Sequence, residues 1–287
     1  MALRDLLVHV DHTQGALVRL RLAADLARRH GSRLTALYVQ ESDSRQLHEQ
    51  STAEFGLVSA SDINDANRRM LQAGDETARR LEREIAAIRV DTGLEIELRS
   101  IAGVASKLMP QHARFADLCV VSQDTRSDAT TAGYTYSEAV LFSTGRPVLF
   151  VPASGTFDTL GRHILAAWNS SRAAARALND ALPLIERAEH TTVLAINPTE
   201  YIDRYQALAP EQIVEHIKRH TGSVEGIRLE NVRRESIADV MQAEAHRLGA
   251  DMIVAGAFGH PKLWERLIGG VTCELLARMT LPILMSY

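Results

Sequence analysis

Apolar residues along this chain follow two alternating patterns. Short continuous runs, such as Leu6-Leu-Val-His-Val-Asp11 and Ile164-Leu-Ala-Ala-Trp-Asn169, read as buried strands closed by a polar residue. Between them apolar positions recur at helical spacing. Leu17, Leu20, Ala24 and Ala27 do so between strands predicted at 5 to 11 and 33 to 40, with Gly31 as the stop, and Ala174, Leu178, Leu182 and Ile185 do so before a strand at 191 to 197. A long polar helix is predicted at about 62 to 90, whereas the matching stretch later in the chain offers only Glu211 to His220. Third strands (94 to 101; about 227 to 233), helices (104 to 115; 236 to 248), fourth strands, last helices and fifth strands complete the two series.

The two series are copies of one another. The strand at Leu6 has its counterpart 158 positions later, while Asp117-Leu-Cys-Val-Val121 and Asp251-Met-Ile-Val-Ala255 are 134 apart. Arg146-Pro-Val-Leu-Phe-Val151 and Leu281-Pro-Ile-Leu-Met-Ser286 are 135 apart. The expectation is a tandem duplication, with domains at 1–153 and 154–287 meeting at the polar stretch Ala153-Ser-Gly-Thr-Phe-Asp158. Strict alternation of strand and helix implies right-handed crossovers, and so an α/β fold: two doubly wound domains, each a five-stranded parallel sheet with helices on both faces.

Composition narrows the function classes. The chain has 287 residues, 46% hydrophobic and 24% charged, with a net charge of −4, which gives no bias toward nucleic acid or an anionic membrane surface. No apolar run approaches the roughly 18 residues of a membrane span and no signal-peptide layout opens the sequence, so the cytoplasm is expected. Cys119 and Cys273 stand alone, with neither a disulfide framework nor metal spacing, and read as small buried apolar residues.

Glycine is distributed unevenly. Gly256, Gly259, Gly269 and Gly270 fall within fifteen residues of a chain that holds 17 glycines in all, where composition predicts about one. Close backbone approach to something explains such crowding, and the candidate is a phosphate. The first pair follows a fourth strand and the second opens a helical run from Val271, whose first N–H groups lack intrahelical partners and carry the positive end of the helix dipole. Thr272 adds a hydroxyl there, and Lys262 or Arg266 a mobile positive charge.

Gly256-x2-Gly259-x9-Gly269, set between a fourth strand and a last helix, resembles the glycine signature of ATP-binding members of the universal stress protein family, and the resemblance spans the whole chain as two copies. It implies an adenine nucleotide, with ATP as ligand and Mg2+ as a candidate companion, its ribose and phosphates near Gly256, Gly259, Gly269 and Gly270, with Val271 and Thr272 beside them. It further implies an acidic residue at the end of strand one and a main-chain contact to adenine from the end of strand two, which fall on Asn169 and Ile196. Asn169 lacks the charge, and Gly270 stands where the family has a hydroxyl residue. The first copy has Asp11 and Val39 at the strand ends, but its loop, Ser122-Gln-Asp-Thr-Arg-Ser-Asp-Ala-Thr-Thr-Ala-Gly133, has no paired glycines, and Asp124 and Asp128 oppose a triphosphate. The first copy is therefore expected not to bind ATP.

Other chemistry is sparse. His216 and His220, at i and i+4, have two-histidine metal spacing but no obvious third ligand, and read as exposed. His260 is placed to contact a nucleotide, Trp264 with Leu263 and Leu267 to anchor the loop, and Trp168 to pack in the core. Arg79, Arg80, Arg83 and Arg89, mixed with Glu76, Glu82 and Glu84, read as a solvated helix face. No nucleophile elbow, P-loop lysine or pyrophosphatase loop is found. The functional expectation is an ATP-binding stress-response sensor or adaptor acting on an unidentified protein partner; the alternatives are a slow ATP-hydrolysing or nucleotidyl-transferring enzyme and a ligand-free interaction module.

Each copy ends in a short apolar strand with proline near its start, Pro147 and Pro282, as on a sheet edge. Two like edges in one chain can satisfy one another. The resembled family commonly dimerises through this strand, so residues 146 to 152 and 281 to 286 are expected side by side and antiparallel within one chain, leaving any homodimer to other surfaces.

Overall fold

The computed structural model describes residues 2–41, 60–124, 136–200, 209–233, 237–257 and 270–287, with backbone alone at 41 and 60–71. The first half runs β1 (Asp5–Val10), α1 (Gly15–His30), β2 (Arg33–Glu41), α2 (Ala60–Thr92), β3 (Ile96–Gly103), α3 (Ala105–Ala113), β4 (Leu118–Ser122), α4 (Tyr136–Thr144) and β5 (Val148–Val151). The second runs β6 (His163–Trp168), α5 (Arg172–Ile185), β7 (His190–Ile196), α6 (Glu211–Ile217), β8 (Val224–Leu229), α7 (Ile237–Leu248), β9 (Met252–Gly256), α8 (Val271–Arg278) and β10 (Ile283–Ser286).

Local chemistry sets the boundaries. Gly31 takes the left-handed conformation (φ 65°) that ends α1, returning its N–H to Ala27 and Arg28 carbonyls. Ser171 starts α5 by accepting the N–H of Ala174 on its hydroxyl. The predicted third strand of the second half shifts back to 224–229, because Asn231 adopts a positive φ of 60° and breaks the extended run.

All ten strands form one sheet, in the order β3-β2-β1-β4-β5-β10-β9-β6-β7-β8. Each half repeats the same parallel order, and the halves meet in an antiparallel pair, with Ile283 opposite Phe150, Leu284 opposite Leu149 and Met285 opposite Val148. This is the internal pairing that the proline-bearing strands lead one to expect. Successive side chains of the buried strands serve opposite faces. Leu6, Val8 and Leu149 pack under α1, α2, α5 and α6, around Leu20, Leu81, Leu178 and Ile217. Leu7, Phe150 and Met285 pack under α3, α4, α7 and α8, around Met109, Val140, Met241 and Leu275. Both apolar layers run unbroken across the β5–β10 seam.

Further bonds cross between halves. Gln123 Nε2 donates to the carbonyls of Leu276 (2.8 Å) and Ala277 (3.1 Å), and Arg176 donates to the Gly145 carbonyl at 3.0 Å. The arginine run of α2 is not wholly solvated as expected. Arg80 donates to the carbonyls of Asp11 (3.4 Å) and His12 (3.0 Å), beyond the end of β1, and Arg89 to that of Ile96 at the start of β3.

Candidate functional site at the carboxyl ends of the strands

In each half the strand order reverses between the first and fourth strands, β1 and β4 or β6 and β9, which opens a crevice at their carboxyl ends. In the second half, Asn169 follows β6, and its Oδ1 accepts the N–H of Ser171 at 3.2 Å, forming the turn that leads into α5. Asp11 does the same for Thr13 in the first half at 2.8 Å. The amide at 169 therefore keeps the turn while dropping the charge.

Ile196 ends β7, and the chain then turns through Asn197 (φ 51°), whose side chain donates to the Val232 carbonyl at 2.7 Å and accepts the Val232 N–H at 2.9 Å. The counterpart Val39 lies inside its strand, since β2 continues with Gln40 and Glu41 paired to Ala102 and Gly103.

Gly256 ends β9 against the first turn of α5. A Cβ there would fall 2.3 Å from the Ala174 nitrogen and 2.4 Å from the Ala173 carbonyl carbon. Glycine at 256 thus has a helix-packing reason of its own, which the spacing pattern did not reveal. Gly270 is the residue before α8, with φ −125°, no side-chain cap and nothing within 4 Å of an added Cβ. Val271 is half-buried and Thr272 buried in the first turn of α8. Gly259, His260, Lys262, Trp264, Arg266 and Gly269 lie outside the described residues. Trp168 packs partly buried against the apolar layer under α5.

The corresponding crevice of the first half is filled with larger polar groups, and its buried ion pair was not foreseen from sequence. Where the second half has Ala177 and Ala167, the first has Arg19 and His9. Arg19, 1% exposed, bonds the Asp11 carboxylate at 2.6 Å and the His9 carbonyl at 3.2 Å. Burial alone would raise the Asp11 carboxyl, but the Arg19 charge and the Thr13 bonds bring it below the ordinary carboxylate value. Burial, then Arg19, pushes the His9 imidazole down to about 4, so it is neutral, and its ring lies 5.3 Å from that of Tyr136.

The two cysteines differ. Cys119 is fully buried, and burial raises its thiol to about 12; Cys273 is only half-buried and donates to Glu138 of the first half at 3.3 Å. His216 and His220 face one another at 5.2 Å between ring centroids, and among the described residues no cluster of three or more His, Cys, Asp or Glu is arranged to hold a metal ion. Among the described residues no helix is long and apolar enough to cross a membrane.

Comparison with known proteins bears on this geometry. Residues 161–286 match the family model described as Universal stress protein family. A universal stress protein from Archaeoglobus fulgidus DSM 4304 superposes with a TM-score of 0.70 and 14% identity, over 98% of this chain and 95% of that one. A functionally unknown protein from Pseudomonas aeruginosa PAO1 superposes with a TM-score of 0.56 and 16% identity, over 99% and 92% of the two chains. At these identities the likeness is one of fold, and it extends over both halves. No curated protein matches the chain.

Proposed function

We propose that this chain, whose residues 161–286 match the universal stress protein family model, binds ATP in its second half and acts as a stress-response sensor or adaptor. The observation that carries the reading is the state of the β6–β9 crevice. Ala167 and Ala177 stand where the first half has His9 and Arg19, and α8 presents its first turn behind Gly270 with no side-chain cap, an arrangement suited to a phosphate. Adenine is assigned to the end of β7 at Ile196, ribose to Asn169 and Gly256, and phosphates to Gly259, Gly269, Gly270, Val271 and Thr272, with His260 alongside. Mg2+, if it accompanies the nucleotide, would be held chiefly by phosphate oxygens and water, as is usual for that ion.

Calorimetric titration with ATP, ADP, AMP and cyclic nucleotides tests the proposal. ATP is expected to bind once per chain, and Gly259→Asp to abolish binding by placing a carboxylate in the phosphate loop, with little loss of fold. Unchanged affinity in that variant removes the site assignment, and absence of any nucleotide binding removes the function.

A further inference from the structure

The first turn of α4 in the first half and that of α8 in the second occupy equivalent places, Ser137 corresponding to Thr272. The N–H of Ser137 is met by a carboxylate. Both oxygens of Asp124 accept from it, at 3.0 and 3.1 Å, so a negative charge sits where helix dipole and free N–H groups favour an anion. In the second half the stretch after β9 reads Ala257-Phe258-Gly259, with no acidic residue.

Three side chains close the rest of that crevice. Arg19 and His9 replace Ala177 and Ala167, Tyr136 replaces Val271, and the His9 and Tyr136 rings meet at a tilt, 5.3 Å between centroids. From the helix that only the first half carries at length, Arg80 adds its guanidinium to the carbonyls of Asp11 and His12.

We infer that the first half carries its own anion: the Asp124 carboxylate stands in for the phosphate of a ligand, and this residue, with Arg19, His9 and Tyr136, is the determinant that confines nucleotide to the second half. The phosphate-binding geometry of the fold is thus kept in the first half and satisfied internally. A purely repulsive acid would sit in the loop without engaging the helix, whereas Asp124 makes the hydrogen bond that a phosphate oxygen would make. The inference rests on the proposed function only in naming phosphate as the excluded group.

The test uses the full chain with Gly259→Asp present, to silence the second-half site. Asp124→Ala and Asp124→Ser are added separately, the serine being able to cap the helix and so keep the fold if alanine does not. In chloride each is expected to lower Tm by about 2–4 °C. Exchange of chloride for inorganic phosphate at equal ionic strength is expected to restore at least half of that loss in the variants and to leave their parent unmoved. An equal phosphate response in parent and variants overturns the inference. So does a stoichiometry of two ATP per wild-type chain, whereas failure of ATP to bind the wild type refutes the proposed function and leaves the phosphate comparison readable.

Discussion

Gly256 and Gly270 belong to one glycine cluster and owe their identity to different physics. At 256 any side chain meets the α5 backbone, so Gly256→Ala is expected to cost about 1–3 kcal/mol as an overpacked contact. At 270 the space is open, and Gly270→Ala is expected to cost under about 1 kcal/mol, the difference between two weak helix starts. Urea midpoints of the two variants decide the point, and equal losses contradict it. His9 yields a second prediction at this scale. Its folded-state value of about 4 lies below the ordinary 6.5, so the unfolded chain binds the proton first. Stability is therefore full above pH 6.5, falls as the pH drops from there to about 4, and loses nothing more to this group below that, with a limit of about 3 kcal/mol. His30, pushed to about 4 by burial and by Arg187 and Arg29, adds to the same window. In His9→Phe the stability lost between pH 7 and pH 5 should shrink by roughly half, and an unchanged loss refutes the assignment.

Among the elements, α1 shows where reading from sequence succeeds and where it stops. Its apolar period and the Gly31 stop are visible as pattern, because each is a local consequence of 3.6-residue geometry and of a residue that tolerates positive φ. Arg19 lies within that same period as a charged residue, and nothing local says that it turns inward; its burial depends on Asp11 at the end of β1. The same holds for Asp124, legible as an acid in the wrong place for a triphosphate but not as the partner of the Ser137 N–H, which needs the placement of α4. Gly256 was marked by its spacing, yet the α5 turn against it appears only once strand and helix are packed. Removing one member of the buried pair leaves the other uncompensated. Arg19→Met is expected to cost about 3 kcal/mol, less than a fully buried pair because Asp11 keeps 20% exposure, and Asp11→Asn added to it should restore most of the loss. Chemical denaturation of the single and double variants checks this; additive losses refute the coupling.

At the scale of the whole molecule, the likeness of the two halves was legible because they keep the same strand patterns and order, and the seam because both carry proline at the start of an apolar strand. The boundary at 153 and 154 remains a proposal that fragments can test. Alone, residues 154–287 would expose the β10 edge, which pairs with β5 in the full chain. This fragment is expected to self-associate in sedimentation experiments while the full chain does not use that edge; a stable monomeric fragment counts against the seam as the principal joint. The unbroken apolar layers also predict that Leu284→Asp, placed in the layer beneath α1 and α5, lowers the stability of both halves together in one transition.

The position of β10 also orders events in time. During synthesis β5 is complete at Val151, but its partner begins at Ile283, after all the intervening residues have been added. At roughly 5–20 residues per second that interval is on the order of ten seconds. Throughout it the first half has every strand it will own and an apolar edge with nothing to pair, so ribosome-associated chains at this stage are the ones most exposed to chaperones and to one another.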